Sequence, residues 1–72
     1  MNELKEQFGK RIRILRRERQ LTQEQLAEAA GISVDFLSLI ERGRNAPSFQ
    51  KIQRLANALG VPVKVLFDFD SG

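Results

Sequence analysis

Seventy-two residues, 42% of them hydrophobic and 29% charged, suffice for one small domain, since a chain this short withdraws only about 60% of its unfolded surface from water. There is no Cys and no His, so disulfide frameworks, thiol nucleophiles, zinc fingers and the usual imidazole base are excluded, and the fold must rest on helix packing. Apolar runs are too short to span a bilayer and the N-terminus lacks the apolar core of a secretion signal, so the expected location is cytoplasmic.

Twelve Lys and Arg face nine Asp and Glu, a net charge of +3 that is unevenly placed. Residues 1–19 hold seven bases and three acids, residues 20–41 four acids and no base, and residues 42–54 four bases and no acid. Two basic blocks thus flank an acidic middle. That pattern suits two phosphate-gripping segments around an inserted element, and equally two solvated helix faces.

In chain order, Leu4, Phe8, Ile12 and Leu15 recur at helical spacing and predict a first helix over residues 4–19, its other faces covered by Lys and Arg. Gln20 and Leu21 interrupt the pattern. Thr22 with Gln25 three positions on forms a capping box, opening a second helix that turns Leu26, Ala27 and Ala30 inward and stops at Gly31. Ser33 caps a third helix with Phe36, Leu37 and Ile40 inward, closed by residues 41–43. Each is about nine residues, too short to stand alone, so both must pack on a larger body. After the loop at residues 44–47, Pro47 or Ser48 opens a fourth helix with the face Phe49, Ile52, Leu55, Ala56 and Leu59, ended by Gly60. In the tail, Val61, Val63, Val65, Phe67 and Phe69 alternate like a strand, while Val63, Leu66 and Phe67 fit one helical turn; a short fifth helix is the preferred reading. The expected fold is all-α, a compact bundle of four helices plus a short C-terminal fifth, in one domain over residues 1–72.

The segment 23–42 stands above this background. Ala27 allows two helices to approach steeply, Gly31 permits a tight bend, and Leu37 and Ile40 anchor the next helix so that its opposite side stays exposed. These are the requirements of a helix-turn-helix, whose second helix fits the major groove of B-DNA, about 12 Å wide.

With "LTQEQLAEAAGIS", "LIERGRNAPSF" and "IQRLANALGVPV" in this order and spacing, the sequence resembles the phage-repressor and Cro-like helix-turn-helix proteins, the xenobiotic-response-element type of transcriptional regulator, over roughly residues 8–67. The resemblance implies a lambda-repressor-like DNA-binding domain and assigns roles. Gln23 looks like the family glutamine that binds a phosphate and braces the recognition helix. Ser33, Val34, Asp35, Ser38 and Leu39 occupy its outward positions, with Val34, Asp35, Ser38 and Leu39 toward base edges and Ser33 toward phosphate. Relatives favour Arg, Lys, Gln or Asn there, whereas Val34 and Leu39 offer apolar contact, for example to a thymine methyl, and Asp35 can only accept, for example from cytosine N4. Asp35 has an alternative role at the start of helix three, where the dipole favours a carboxylate. Arg42, Arg44, Asn45 and Ser48, with Lys51, resemble the loop that lies along the phosphates. Arg16 and Glu41 match a structural ion pair between helices one and three. The remaining bases Lys10, Arg11, Arg13, Arg17 and Arg19 read as a solvated face.

A monomer this small covers too little DNA to be selective, so a homodimer on a pseudo-palindromic operator is expected, with Val65 and Phe69 either forming the apolar contact or packing back onto helix four. The resulting function is sequence-specific double-stranded DNA binding by a small regulator, a repressor or autoregulator without its own effector domain. The alternative is an antitoxin-like protein-interaction module that binds DNA secondarily, motivated by the apolar outward face of helix three. An enzyme is not expected: Glu24 and Glu28 are like charges on one exposed face, the serines lack a base, no glycine-rich phosphate cradle exists, and no cofactor or metal is implied.

Overall fold

The computed structural model describes residues 3–70 and folds them into five helices: α1 (Glu3–Glu18), α2 (Gln23–Ala30), α3 (Val34–Glu41), α4 (Phe49–Leu59) and α5 (Val63–Leu66). No strand occurs among the described residues, and the tail takes the short helix. α2 and α3 are eight residues each.

Local chemistry sets most boundaries. Thr22 Oγ1 accepts the Gln25 N–H at 3.0 Å while Gln25 Oε1 accepts the Thr22 N–H at 2.8 Å, so two otherwise orphaned donors are satisfied as α2 begins. Gly31 stops it at φ 71°, a left-handed conformation that costs glycine little, and the Ile32 N–H closes back onto the Ala27 carbonyl at 3.0 Å. Ser33 and Ser48 cap α3 and α4 through the Phe36 and Lys51 N–H groups. α1 ends without a glycine: Gln20 itself takes φ 57°, and the Leu21 N–H returns to the Arg16 carbonyl.

The core gathers Phe8, Ile12 and Leu15 of α1, Leu26, Ala27 and Ala30 of α2, Leu37 and Ile40 of α3, Ile52, Leu55, Ala56 and Leu59 of α4, and Leu66 of α5. α2 packs on α4 and α3, α1 on α3, and α5 closes over α4 and α1. Within α1, Gly9 lies so close to the end of α3 that a methyl there would fall 2.2 Å from the Ile40 carbonyl oxygen. That glycine fixes the depth at which α3 sits.

Three residues of the apolar helical patterns lie outside the core. Leu4 is 61% exposed and Phe49 is 91% exposed, each in the first turn of its helix. Phe67 follows α5 rather than entering the core, and remains 39% exposed with its ring 5.1 Å from that of Phe8. Phe36 is half-buried, and Leu66 alone of the tail is fully enclosed.

Candidate nucleic-acid interface

α3 has two faces because its apolar residues repeat at helical spacing. Leu37, Ile40 and Glu41 are buried, and opposite them lie Val34 and Asp35, both exposed, with Ser38 and Leu39 half-buried at the shoulders. The inward face locks the helix while the outward one is free of core contacts.

The C-terminal end of α3 is fixed by charge. Arg16 Nε donates to Glu41 Oε2 at 2.7 Å and Nη2 to Oε1 at 3.0 Å, a bidentate pair, while Nη1 donates to the Leu21 carbonyl at 2.8 Å. Both residues are buried, and among the described residues no buried side-chain polar atom lacks a partner. The Glu41 carboxylate holds the Arg16 guanidinium above its ordinary range, first by this hydrogen bond; burial opposes the shift and the Coulomb attraction adds to it. Gln23 joins the cluster, its Nε2 donating to Glu41 Oε1 at 3.0 Å. One carboxylate therefore ties the end of α1, the start of α2 and the end of α3 together.

The N-terminal end is held more lightly. Ser33, the cap of α3, accepts from the Phe36 N–H, and Asp35 lies exposed in the first turn without taking the capping position. Lys51 places its ammonium 4.5 Å from the centre of the Phe36 ring.

Beyond α3, Arg42 and Arg44 are exposed on the loop that leads to Ser48. Arg42 folds back, Nε donating to the Ser38 carbonyl at 3.3 Å, as suits a cation at a helix C-terminus. Asn45 is half-buried. The Ser33 and Ser48 hydroxyls both accept a backbone N–H, which leaves each O–H free to donate.

Two arginines assigned to a solvated face have structural partners. Arg11 is buried and its Nε donates to the Val65 carbonyl at 2.9 Å; Arg19 Nε donates to the Leu59 carbonyl. α1 and the residue that follows it thus satisfy acceptors in α5 and at the end of α4, a task visible only once distant segments are packed. Lys10, Arg13 and Arg17 are exposed. Val65 and Phe69 are half-buried against the core, and Phe69 sits edge-on to Phe67. Gly9 was not singled out in the sequence, although a glycine inside a helix costs about 1 kcal/mol relative to alanine and so calls for a packing reason.

A protein-family model described as a helix-turn-helix domain matches residues 7–66. The chain belongs to this phage-repressor and Cro-like helix-turn-helix family. An immunity repressor protein of Bacillus phage phi105 is 47% identical over 58 residues, covering 81% of this chain and 40% of the phage protein. The HTH-type transcriptional repressor RghR of Bacillus subtilis is 45% identical over 62 residues, 85% of this chain and 46% of its own. The chain thus spans less than half the length of these two relatives. The crystal structure of the restriction-modification controller protein C.AhdI from Aeromonas hydrophila superposes with a TM-score of 0.86 at 36% identity, covering 88% of this chain and 96% of that one. The family is one of transcriptional regulators rather than enzymes. No helix among the described residues is long and apolar enough to cross a membrane.

Proposed function

We propose that this chain binds double-stranded DNA sequence-specifically as a small transcriptional regulator, a repressor or autoregulator, working in the cytoplasm at the nucleoid. The observation that carries the reading is α3 itself: an outward ridge free of core contacts, on a helix whose far end is clamped by Arg16, Glu41 and Gln23. A helix laid into the major groove must be held rigidly from behind and left open in front.

In this reading Val34, Asp35, Ser38 and Leu39 face base edges. Apolar Val34 and Leu39 favour thymine methyls, and Asp35 accepts from cytosine. Phosphates are gripped by Arg42, Arg44, Asn45 and Lys51, by the hydroxyl protons of Ser33 and Ser48, and by Gln23, whose second amide hydrogen remains after the bond to Glu41. Two copies on half-sites about 34 Å apart supply the selectivity that one small domain lacks. The phi105 protein is named a repressor and C.AhdI a controller, which supports a regulatory reading of this chain.

Selection of random duplexes followed by sequencing tests the proposal. A pseudo-palindrome with half-sites one helical turn apart is the expected product; an unenriched pool from a folded protein would refute sequence-specific binding. Val34 and Leu39 also favour a second reading, a module that binds another protein through α3 and DNA only secondarily. Under it, Leu39→Glu abolishes capture of a host protein while Arg44→Ala leaves that capture intact.

A further inference from the structure

α4 carries two cations three residues apart, Lys51 and Arg54, which share one flank of the helix. Both reach toward the N-terminal end of α3. The Lys51 ammonium stands 4.5 Å from the centre of the Phe36 ring in the first turn of α3, and a guanidinium nitrogen of Arg54 lies 3.8 Å from the point where a side chain at Gly31, in the turn before α3, would begin. Arg11, Arg16 and Arg19 each donate to a carbonyl or carboxylate of the fold, whereas Arg54 is exposed and forms no hydrogen bond or ion pair among the described residues. Its place against the turn has no structural partner to account for it.

Resting on the DNA reading above, we propose that Arg54 grips a backbone phosphate of the duplex beside the turn that enters α3, as the counterpart of Arg42 and Arg44 at the other end of that helix. α2 and α3 themselves carry four acids and no base, and three of the four, Glu24, Glu28 and Asp35, are exposed. A phosphate approaching the N-terminal end of α3 therefore meets negative charge unless a neighbouring element supplies cations, and α4 supplies Lys51 and Arg54 there. The Ser33 hydroxyl, whose proton is free to donate, lies at the same end. A guanidinium suits the task, since its planar fork of N–H donors matches two phosphate oxygens at once. The eight residues of α3 span about 12 Å, so cations at its two ends cannot serve one phosphate group. Arg54 thus adds a contact instead of sharing that of Arg44.

Affinity of the full chain for mixed-sequence duplex, followed against salt for wild type, Arg54→Gln and Lys10→Gln, tests the assignment, with circular dichroism melts confirming the fold. Each lost phosphate contact flattens the slope of log affinity on log salt by about 0.9, so between about 50 and 200 mM salt wild type should lose about threefold more affinity than Arg54→Gln. Lys10→Gln removes an exposed cation of α1 and should keep the wild-type slope. Arg54→Gln should melt as wild type does, because the lost side chain makes no bond within the fold. Added to Arg44→Ala, it should flatten the slope beyond Arg44→Ala alone. Arg54→Gln with the wild-type slope, or with a drop that Lys10→Gln equals, overturns the proposal while leaving DNA binding intact. A folded double variant no flatter than Arg44→Ala alone overturns it too, as does loss of the helical signal in Arg54→Gln, which would make the arginine structural. Wild type that binds no duplex even at low salt sinks the DNA reading itself, and this proposal with it.

Discussion

At its C-terminal end α3 is fixed by a buried bidentate ion pair and by a helix crossing with no space for a methyl, whereas at its N-terminal end it is held by a serine hydroxyl and an ammonium over a ring. Breaking a buried pair leaves an uncompensated charge, while water readily replaces an exposed bond. The helix therefore has one rigid end and one that can adjust. The adjustable end also carries Val34 and Asp35, the side chains that the proposed function sets against base edges.

The largest expected effect is on the rigid end. Arg16→Ala strands Glu41 and should cost about 3–5 kcal/mol, at about 4–8 °C of melting temperature per kcal/mol for a domain of this size. Replacing both partners, as in Arg16→Met with Glu41→Leu, should cost less than either single change, because no charge is left buried. Equal losses in a thermal melt would mean that the pair does not act as a unit. The Arg16 guanidinium itself keeps its proton below strongly alkaline pH. The folded guanidinium sits above its unfolded value, so its contribution is complete below the unfolded value and is lost only as pH climbs through the higher folded one.

Gly9→Ala comes next. The added methyl must push the Ile40 carbonyl away, and such overpacking costs about 1–3 kcal/mol. DNA affinity should fall further than the melting temperature implies, because the shift moves α3 bodily. A variant as stable as wild type in urea would remove Gly9 as the depth stop.

At the adjustable end the effects shrink. Ser33→Ala removes the cap and should cost about 1 kcal/mol by denaturant titration. Lys51→Met keeps the stem but not the charge and should cost about 0.5–1 kcal/mol. If Lys51 also holds a phosphate, the same variant lowers the salt slope of binding by roughly one unit. Should Lys51→Met cost as much as Arg16→Ala, the contrast between the two ends would fail.

The helices and their order were legible because their signals are local. Thr22 with Gln25, Gly31, Ser33, Ser48 and Gly60 each act within four residues of themselves, and each takes the expected place at a helix end. The inward stripes were legible except at two first turns and in the tail: Leu4, Phe49 and Phe67 have the right phase, but periodicity does not say where a neighbouring helix stops. Arg16 with Glu41 was readable only through the family resemblance. The Arg11 bond to Val65 and the Arg19 bond to Leu59 link residues 54 and 40 positions apart, and the residue types at their ends leave no local trace. Gly9 had a signal, its cost inside a helix, that points to a close approach without naming the neighbour.

In the proposed function the outward ridge of α3 and the loop behind it meet DNA. Backbone amide shifts recorded during titration with mixed-sequence duplex at low ionic strength test it directly. Perturbations should cluster at residues 33–39, at 42–48 and at Gln23; shifts confined to α5 and the outer face of α1, with α3 and the loop unmoved, would contradict it.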